Sequence, residues 1–171
     1  LAHFISSKKL NAQLNFVDSD NINSILKNNN ISPDVDLLSL DLDLTTHLVW
    51  EALTYITPKV LVIEYNGFFP SEVDWTSEHQ PNLWWEGGIQ MGASLQSLTS
   101  LSKQKGYRLV GCDLSGTNAF FVREDLAVGR VVNIDNAESK QHTLYNWRWS
   151  KCREWYTNFS WTRWLLDNRK C

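Results

Sequence analysis

Short apolar runs that alternate with helix-patterned segments constrain the fold of this chain more than any other feature. Runs with the length of β-strands lie at residues 14–17, 37–42, 60–63, 107–112 and 118–123. Apolar residues recur at helical spacing in the segments 22–26, 48–56 and 95–101. The predicted order is therefore β-α-β-α-β-loop-α-β-β, which is typical of an α/β sheet.

The direction of the strands can also be predicted. Only a turn containing Ser115 and Gly116 separates the last two runs, so these strands must be antiparallel. The run at 60–63 is continuously apolar, which favours a parallel strand covered on both faces. We predict a mostly parallel sheet with an antiparallel C-terminal strand pair.

The charge is unevenly distributed along the 171 residues. Residues 140–171 contain seven Lys or Arg and two acidic residues, a net charge of +5, so residues 1–139 carry −8 of the total −3. The same 32 residues hold five of the nine tryptophans. We predict an α/β domain over residues 1–126 and a basic, Trp-rich C-terminal extension over residues 127–171.

Cysteine usage and hydropathy limit the location of the protein. The three cysteines include no CxxC pair, which argues against a disulfide framework and against a structural zinc site. No apolar run approaches the roughly 20 residues that a membrane span requires. We predict a cytoplasmic protein without a membrane span.

Acidic and amide side chains follow two neighbouring predicted strands. Asp41 and Asp43 end the second strand, and Glu64 and Asn66 follow the third. Ligands of open α/β sheets bind at the carboxyl ends of parallel strands, so these residues are candidates for one common site. For any one of them alone, a helix cap or a solvated strand end is the simpler interpretation.

Two short motifs at the acid pair suggest different chemistries. The stretch LSLDLDLTT fits the hhhDxDxT pattern of haloacid-dehalogenase-like phosphatases, in which Asp41 would attack phosphorus, Asp43 would handle the proton and Mg²⁺ would neutralise charge. The lysine, the later Ser/Thr and the further acid pair of that chemistry are not evident. Asp41-Leu42-Asp43 also fits the DxD metal clamp of sugar-nucleotide transferases, with nothing else to corroborate it.

A longer resemblance covers residues 14–126. The stretch DLLSLDLDLTTHLVWEALTYITPKVLVIEYN resembles the central segment of FkbM-like S-adenosylmethionine-dependent methyltransferases, and so does GASLQSLTSLSKQKGYRLVGCDLSGTNAFFVRED downstream. In that family a strand ending in acid-x-acid-Gly leads to a helix, a Pro and a strand ending in Glu. The resemblance implies a partial Rossmann-like sheet of the class I methyltransferase type, whose last strand is antiparallel.

The resemblance also implies an activity and roles for residues. The parent chemistry is O-methylation of a small-molecule or glycan hydroxyl, with S-adenosylmethionine as cofactor and no metal. Asp41 is the expected base or substrate orienter, and Asp43 supports it. The expected substrate contacts are Glu64, Asn66, His47 and Trp85.

Two departures from the family pattern affect these expectations. Leu44 stands where the family has Gly, and a tight turn with close backbone approach is difficult for leucine. The first glycine of the chain is Gly67, so residues 1–66 contain no Gly-rich turn for a nucleotide-like cofactor. We therefore expect that the N-terminal cofactor-binding part is missing, that the fragment is inactive, and that no cofactor-binding residue can be assigned.

An interaction module without catalysis is the competing prediction. A sheet that lacks its central strand exposes backbone groups along one edge, which another copy of the chain could cover as a homo-oligomer. The mixed aromatic and basic residues of the extension also permit contact with nucleic acid, but without one clean stripe they do not establish it. Whether the chain is an enzyme is thus left open by the sequence.

Overall fold

The structure is a computed structural model that describes residues 10–78 and 91–130. In this part of the chain the elements are α1 (Ile22–Asn28), β1 (Leu37–Leu40), α2 (Thr46–Ala52), β2 (Val60–Glu64), α3 (Leu95–Gln104), β3 (Tyr107–Cys112), β4 (Asn118–Arg123) and α4 (Glu124–Ala127). The predicted α/β class is confirmed. Trp85 and residues 131–171 lie outside the described residues.

The four strands form one mixed sheet with the order β1-β2-β4-β3. β1 pairs with β2 in parallel, whereas β4 is antiparallel to both β2 and β3. The predicted antiparallel C-terminal pair is confirmed, and β1, β2 and β3 run in the same direction, so β4 is the one reversed strand among the four described strands. The tight β3–β4 turn reverses the chain, and β4 then takes the place beside β2, so two of the three pairings are antiparallel.

The strand predicted at residues 14–17 is also wrong. Leu14 is fully exposed and Phe16 is 65% exposed. Local polar groups use the backbone here instead: the Asn21 side chain donates to the Phe16 carbonyl, and the Asp18 carboxylate accepts from the Asp20 and Asn21 N–H groups. Such side-chain bonds compete with a strand ladder, and this short run has no neighbouring strand in the described residues.

Helix α2 is shorter than its apolar pattern predicts. The helix ends at Ala52, although Leu53 and Ile56 beyond it continue the buried pattern; the backbone is already extended at Leu53. The Asn23 side chain of α1 explains the end, because its amide donates to the Ala52 carbonyl and its oxygen accepts from the Thr54 and Tyr55 N–H groups. By contrast, the predicted stop of α3 at Gly106 is confirmed, with φ of 81° at that glycine.

The hydrophobic core lies on one face of the sheet. Leu40, Leu61, Ile63 and Phe121 point to this face and are at most 6% exposed. They pack in one cluster with apolar residues of α2 and α3, namely Val49, Trp50, Leu95 and Leu98. Helices α2 and α3 therefore close the core from this side.

The opposite side of the sheet, called here the open face, is less covered. It comprises Leu37, Val60, Val62, Phe120 and Val122, which the strand register places side by side. Leu37 is 60% exposed and the other four are half-buried. The run at 60–63 is more deeply buried on the core face, because Leu61 and Ile63 are fully buried whereas Val60 and Val62 are half-buried.

None of the helices in the described residues combines the length and the hydropathy that crossing a bilayer requires. The boundary predicted at residue 126 falls within the short helix α4, which contacts both β3 and β4.

Candidate functional site

Three carboxylates meet at the carboxyl ends of β1 and β2. Asp41 directly follows β1, and Glu64 is the last residue of β2. The register pairs Leu40 with Ile63, so one step further places Asp41 beside Glu64 on the same side of the sheet as the open face. Asp43 belongs to the turn that leads into α2. The structure thus brings together the three acids that the sequence predicted for one site.

The carboxylates are close enough to act as a unit, called here the acid cluster (Asp41, Asp43 and Glu64). One carboxylate oxygen from each residue lies within 4.8 Å of the others. Asp41 and Asp43 are exposed, whereas Glu64 is only 9% exposed. Such a set can share a proton or neutralise its charge with a hard cation, because three ionised carboxylates at this spacing repel one another strongly.

Glu64 is the member of the cluster that keeps its proton. Burial first, and then the charges of Asp41 and Asp43, raise the pKa of Glu64 to about 8. A hydrogen bond between the Glu64 and Asp41 carboxyl groups acts in the same direction, and only the donating Asp43 N–H opposes it. At neutral pH, Glu64 is therefore mainly protonated and available as a hydrogen-bond donor to the Asp41 carboxyl group.

The turn after β1 has an unusual backbone at Asp43. The φ angle of Asp43 is 52°, in the left-handed region that favours glycine and that Asp tolerates better than most residues. Leu44 has no such angle, and its side chain is 9% exposed. The tight turn therefore forms without a glycine because Asp43 takes the left-handed position and Leu44 fills a buried space.

Thr46 fixes the path of the chain from the turn into α2. Its hydroxyl accepts a hydrogen bond of 2.9 Å from the Leu42 N–H, and the side chain is 1% exposed. The Thr45 N–H also donates to the Leu42 carbonyl. The two threonines behind the acid pair are thus part of the turn that presents the acids.

Asn66 lies near the cluster but is bonded to the protein's own backbone. Its side chain is 1% exposed; the amide donates to the Met91 carbonyl at 2.8 Å and the amide oxygen accepts from the Phe68 N–H at 3.0 Å. These bonds connect the end of β2 to the start of the segment before α3. The role of Asn66 as a substrate contact stays a prediction.

His47 is buried in the first turn of α2, with 6% of its surface exposed. It follows Thr46 in the chain, at the helix start where the sequence placed it. Its predicted contact with substrate stays a prediction, as does that of Trp85.

The segment before α3 contains two site residues that sequence reasoning missed. The Ser77 hydroxyl donates to the Leu44 carbonyl at 2.9 Å, and Gly92 lies so close to the turn that an added Cβ would be 3.0 Å from the Asp43 carbonyl oxygen. Gly92 belongs to the Gly-Ala-Ser stretch of the resemblance, but nothing in the pattern indicated which backbone it would approach.

Comparison with known proteins identifies no relative: no protein family, no curated protein and no solved structure gives a significant match to this chain.

Proposed function

We propose that this chain is the acid-bearing part of a Rossmann-like, S-adenosylmethionine-dependent methyltransferase domain, with O-methylation of a small-molecule or glycan hydroxyl as its parent chemistry. The observation that carries the proposal is the acid cluster at the carboxyl ends of two parallel strands, the location at which open α/β sheets bind ligands. The antiparallel last strand β4 agrees with the fold that the resemblance implies.

The cluster suits the handling of a hydroxyl group. The exposed Asp41 carboxylate is the acceptor for the hydroxyl proton, because Glu64 holds its own proton and donates to Asp41. Asp43 adds negative charge beside both groups and keeps Glu64 protonated. The protein thus orients the hydroxyl oxygen that accepts the methyl group and provides a base for its proton. Methyl transfer to a hydroxyl requires both of these from the side chains that surround it.

The cofactor itself does not fit the described residues of this chain. The described residues before Gly67 contain no glycine, so they offer no Gly-rich turn on which a nucleotide-like group could rest. We therefore derive no step through the cofactor, and we propose that this chain alone does not bind it. A cytoplasmic location is proposed on the cysteine usage alone.

Binding measurements test this proposal. Isothermal titration of S-adenosylmethionine into this chain is expected to give no binding heat. A chain extended at its N-terminus by a Gly-rich strand–turn–helix is expected to bind the cofactor. Tight binding by this chain alone, or an extended chain that binds no cofactor, would contradict the proposal.

The close carboxylates also favour a second candidate, the Mg²⁺-dependent phosphatase that uses Asp41 and Asp43. This function predicts that the chain hydrolyses p-nitrophenyl phosphate only with Mg²⁺ and that Asp41→Asn abolishes the hydrolysis. Equal background rates for both proteins, with and without Mg²⁺, would remove this candidate. Exposed Asp74→Asn is the matched control and is expected to keep the rate of the unaltered chain.

The open face favours a third candidate, a non-catalytic interaction module that pairs with a second copy of itself. Among the described strands β1 is at the edge of the sheet, and its residue Leu37 is 60% exposed. Light scattering after size exclusion is then expected to give a dimer that Leu37→Lys converts to a monomer, because a charge on an edge strand blocks pairing. Leu114→Lys, at a leucine that is 66% exposed in the β3–β4 turn, should leave the dimer intact. A chain that is monomeric at every concentration would rule this candidate out.

A further inference from the structure

The left-handed backbone at Asp43 has to be held by its surroundings. A non-glycine residue in this region costs about 1 kcal/mol, somewhat less for Asp, so the turn would relax if nothing opposed it. On the side of the turn toward α2, Leu42 is hydrogen-bonded to Thr45 and Thr46. On the other side, the Leu44 carbonyl accepts a hydrogen bond from a different part of the chain, which also lies close to the Asp43 carbonyl.

That part is a short antiparallel pairing between residues 75–78 and 91–94, called here the loop ribbon. The Ser77 N–H donates to the Gly92 carbonyl at 2.8 Å, and the Ser94 N–H donates to the Trp75 carbonyl at 2.9 Å. The Ser94 hydroxyl, at the N-cap of α3, also accepts from the Trp75 N–H at 3.1 Å. The loop ribbon is therefore continuous with the start of the ten-residue helix α3, which anchors it to the rest of the fold.

The loop ribbon is attached to both strand ends that carry the acids. At β1 it contacts the turn through the Ser77 hydroxyl on the Leu44 carbonyl and through Gly92 against the Asp43 carbonyl. At β2 it contacts Asn66, whose N–H donates to the Ala93 carbonyl at 2.7 Å and whose side chain donates to the Met91 carbonyl. One element thus spans the gap between Asp43 and the strand end of Glu64.

We propose that Ser77, Gly92 and Asn66 are positioning residues of the acid cluster, which act by clamping the loop ribbon across the ends of β1 and β2. The use of the cluster as base and hydroxyl orienter rests on the proposed function, but the clamp itself does not. In this arrangement Ser77 sets the distance between the Asp43 turn and Glu64. Gly92 permits the approach, because φ is 59° there and a side chain would meet the Asp43 carbonyl.

The experiment is an NMR titration of the Glu64 carboxyl carbon in the full chain. In Ser77→Ala, the turn loses its hydrogen bond to the loop ribbon and moves away from Glu64. The charges on Asp41 and Asp43 then raise the pKa of Glu64 less, and water solvates its carboxyl group more easily. The titration midpoint of Glu64 is expected to fall by about half a pH unit or more toward its ordinary value. Ser77→Thr keeps a hydroxyl at this position and is expected to restore the midpoint.

Ser102→Ala is the matched control for a purely structural loss. Ser102 is fully buried and accepts a hydrogen bond from the Trp50 indole N–H, and neither residue belongs to the acid cluster or to the loop ribbon. This variant is expected to lower the thermal midpoint without moving the Glu64 titration. The proposal is overturned if Ser77→Ala destabilises as Ser102→Ala does but leaves the Glu64 titration where it was. Because no cofactor or substrate enters the measurement, failure of the methyltransferase proposal would leave this outcome unaffected.

Discussion

At the end of β2, Glu64 faces two further carboxylates, whereas at the β3–β4 turn Asp113 is surrounded by hydrogen-bond donors. Asp113 accepts from the Ser115 hydroxyl, the Thr117 N–H and the Asn118 amide. Burial alone would raise the pKa of Asp113, but these donors together hold it below its ordinary value. In Glu64, burial and neighbouring acids raise the pKa instead. The two residues lie at the carboxyl ends of two strands that run in the same direction in one sheet. Their different pKa values therefore come from their neighbours and not from their place in the fold.

This difference separates a structural acid from a reactive one. Asp113 has its lone pairs occupied by the turn that it organises, and it offers little to a ligand. The acid cluster instead brings three carboxyl groups together, two of them exposed, so it can take up a proton, a cation or a hydroxyl group. Because its carboxyl groups are available to a ligand, the candidate site is placed at the acid cluster and not at the β3–β4 turn.

The largest expected effect is on the pH dependence of stability in Glu64→Gln. The folded protein holds the Glu64 proton up to pH about 8, whereas the unfolded chain releases it near the ordinary value of 4.5. The contribution of Glu64 to stability therefore falls as pH rises through this window. Glu64→Gln removes the fall, so its stability relative to the unaltered chain should increase with pH, by at most about 1.4 kcal/mol per pH unit.

Urea unfolding at several pH values between 4 and 9 measures this difference. Glu51→Gln, at an exposed position of α2, is the control and should follow the unaltered chain. A Glu64→Gln protein whose stability runs parallel to that of the control would mean that Glu64 is ionised like an ordinary surface acid.

The next effect concerns the point at which the two compared regions touch. Gly67, just beyond β2, lies against the β3–β4 turn, where an added Cβ would be 2.2 Å from the Gly116 carbonyl oxygen. Gly67→Ala must push the turn away and should cost about 1–3 kcal/mol of unfolding free energy. Gly111→Ala, in β3 with no atom near its added Cβ, should be close to neutral in the same urea unfolding. Equal stability of the two variants would show that the strand ends are not in contact.

The smallest effect is expected from Asp113→Ala. Ser115 is exposed, so its hydroxyl can bond to water when the carboxylate is removed, and the loss at neutral pH should be about 1 kcal/mol. Because the folded pKa of Asp113 is lowered, its contribution is present above the ordinary value of 3.8 and lost as pH falls through the folded value. The difference in unfolding free energy between Asp113→Ala and the unaltered chain should therefore disappear in acid. The control Asp74→Ala should have the same unfolding free energy as the unaltered chain at every pH. A difference for Asp113→Ala that widens below pH 4 would contradict this account of Asp113.

Much of the fold could be predicted from the chain itself. The apolar runs that became β1, β2, β3 and β4 were found because strands of a one-sided core need continuous or alternating apolar residues. The run at 14–17 had the same composition, yet its neighbours Asp18 and Asn21 engage the backbone locally. Composition cannot show that a run lacks a partner strand, since pairing is decided by distant parts of the chain.

The site divides in the same way. Asp41, Asp43 and Glu64 were predicted to meet because the ends of parallel strands share one edge. The left-handed angle at Asp43 and the contacts of Ser77 and Gly92 could not be predicted, because they depend on how the segment after β2 returns to the turn after β1. The insertion of β4 beside β2 depends on such a return as well.

The most direct test of the account is the titration of the Glu64 carboxyl by NMR in the unaltered chain and in Asp41→Asn/Asp43→Asn. The account predicts a midpoint near pH 8 that falls by at least one pH unit when the two neighbouring charges are removed. A midpoint near 4.5 in the unaltered chain, or one that the double substitution leaves unchanged, would contradict the claim that the three acids form one coupled site.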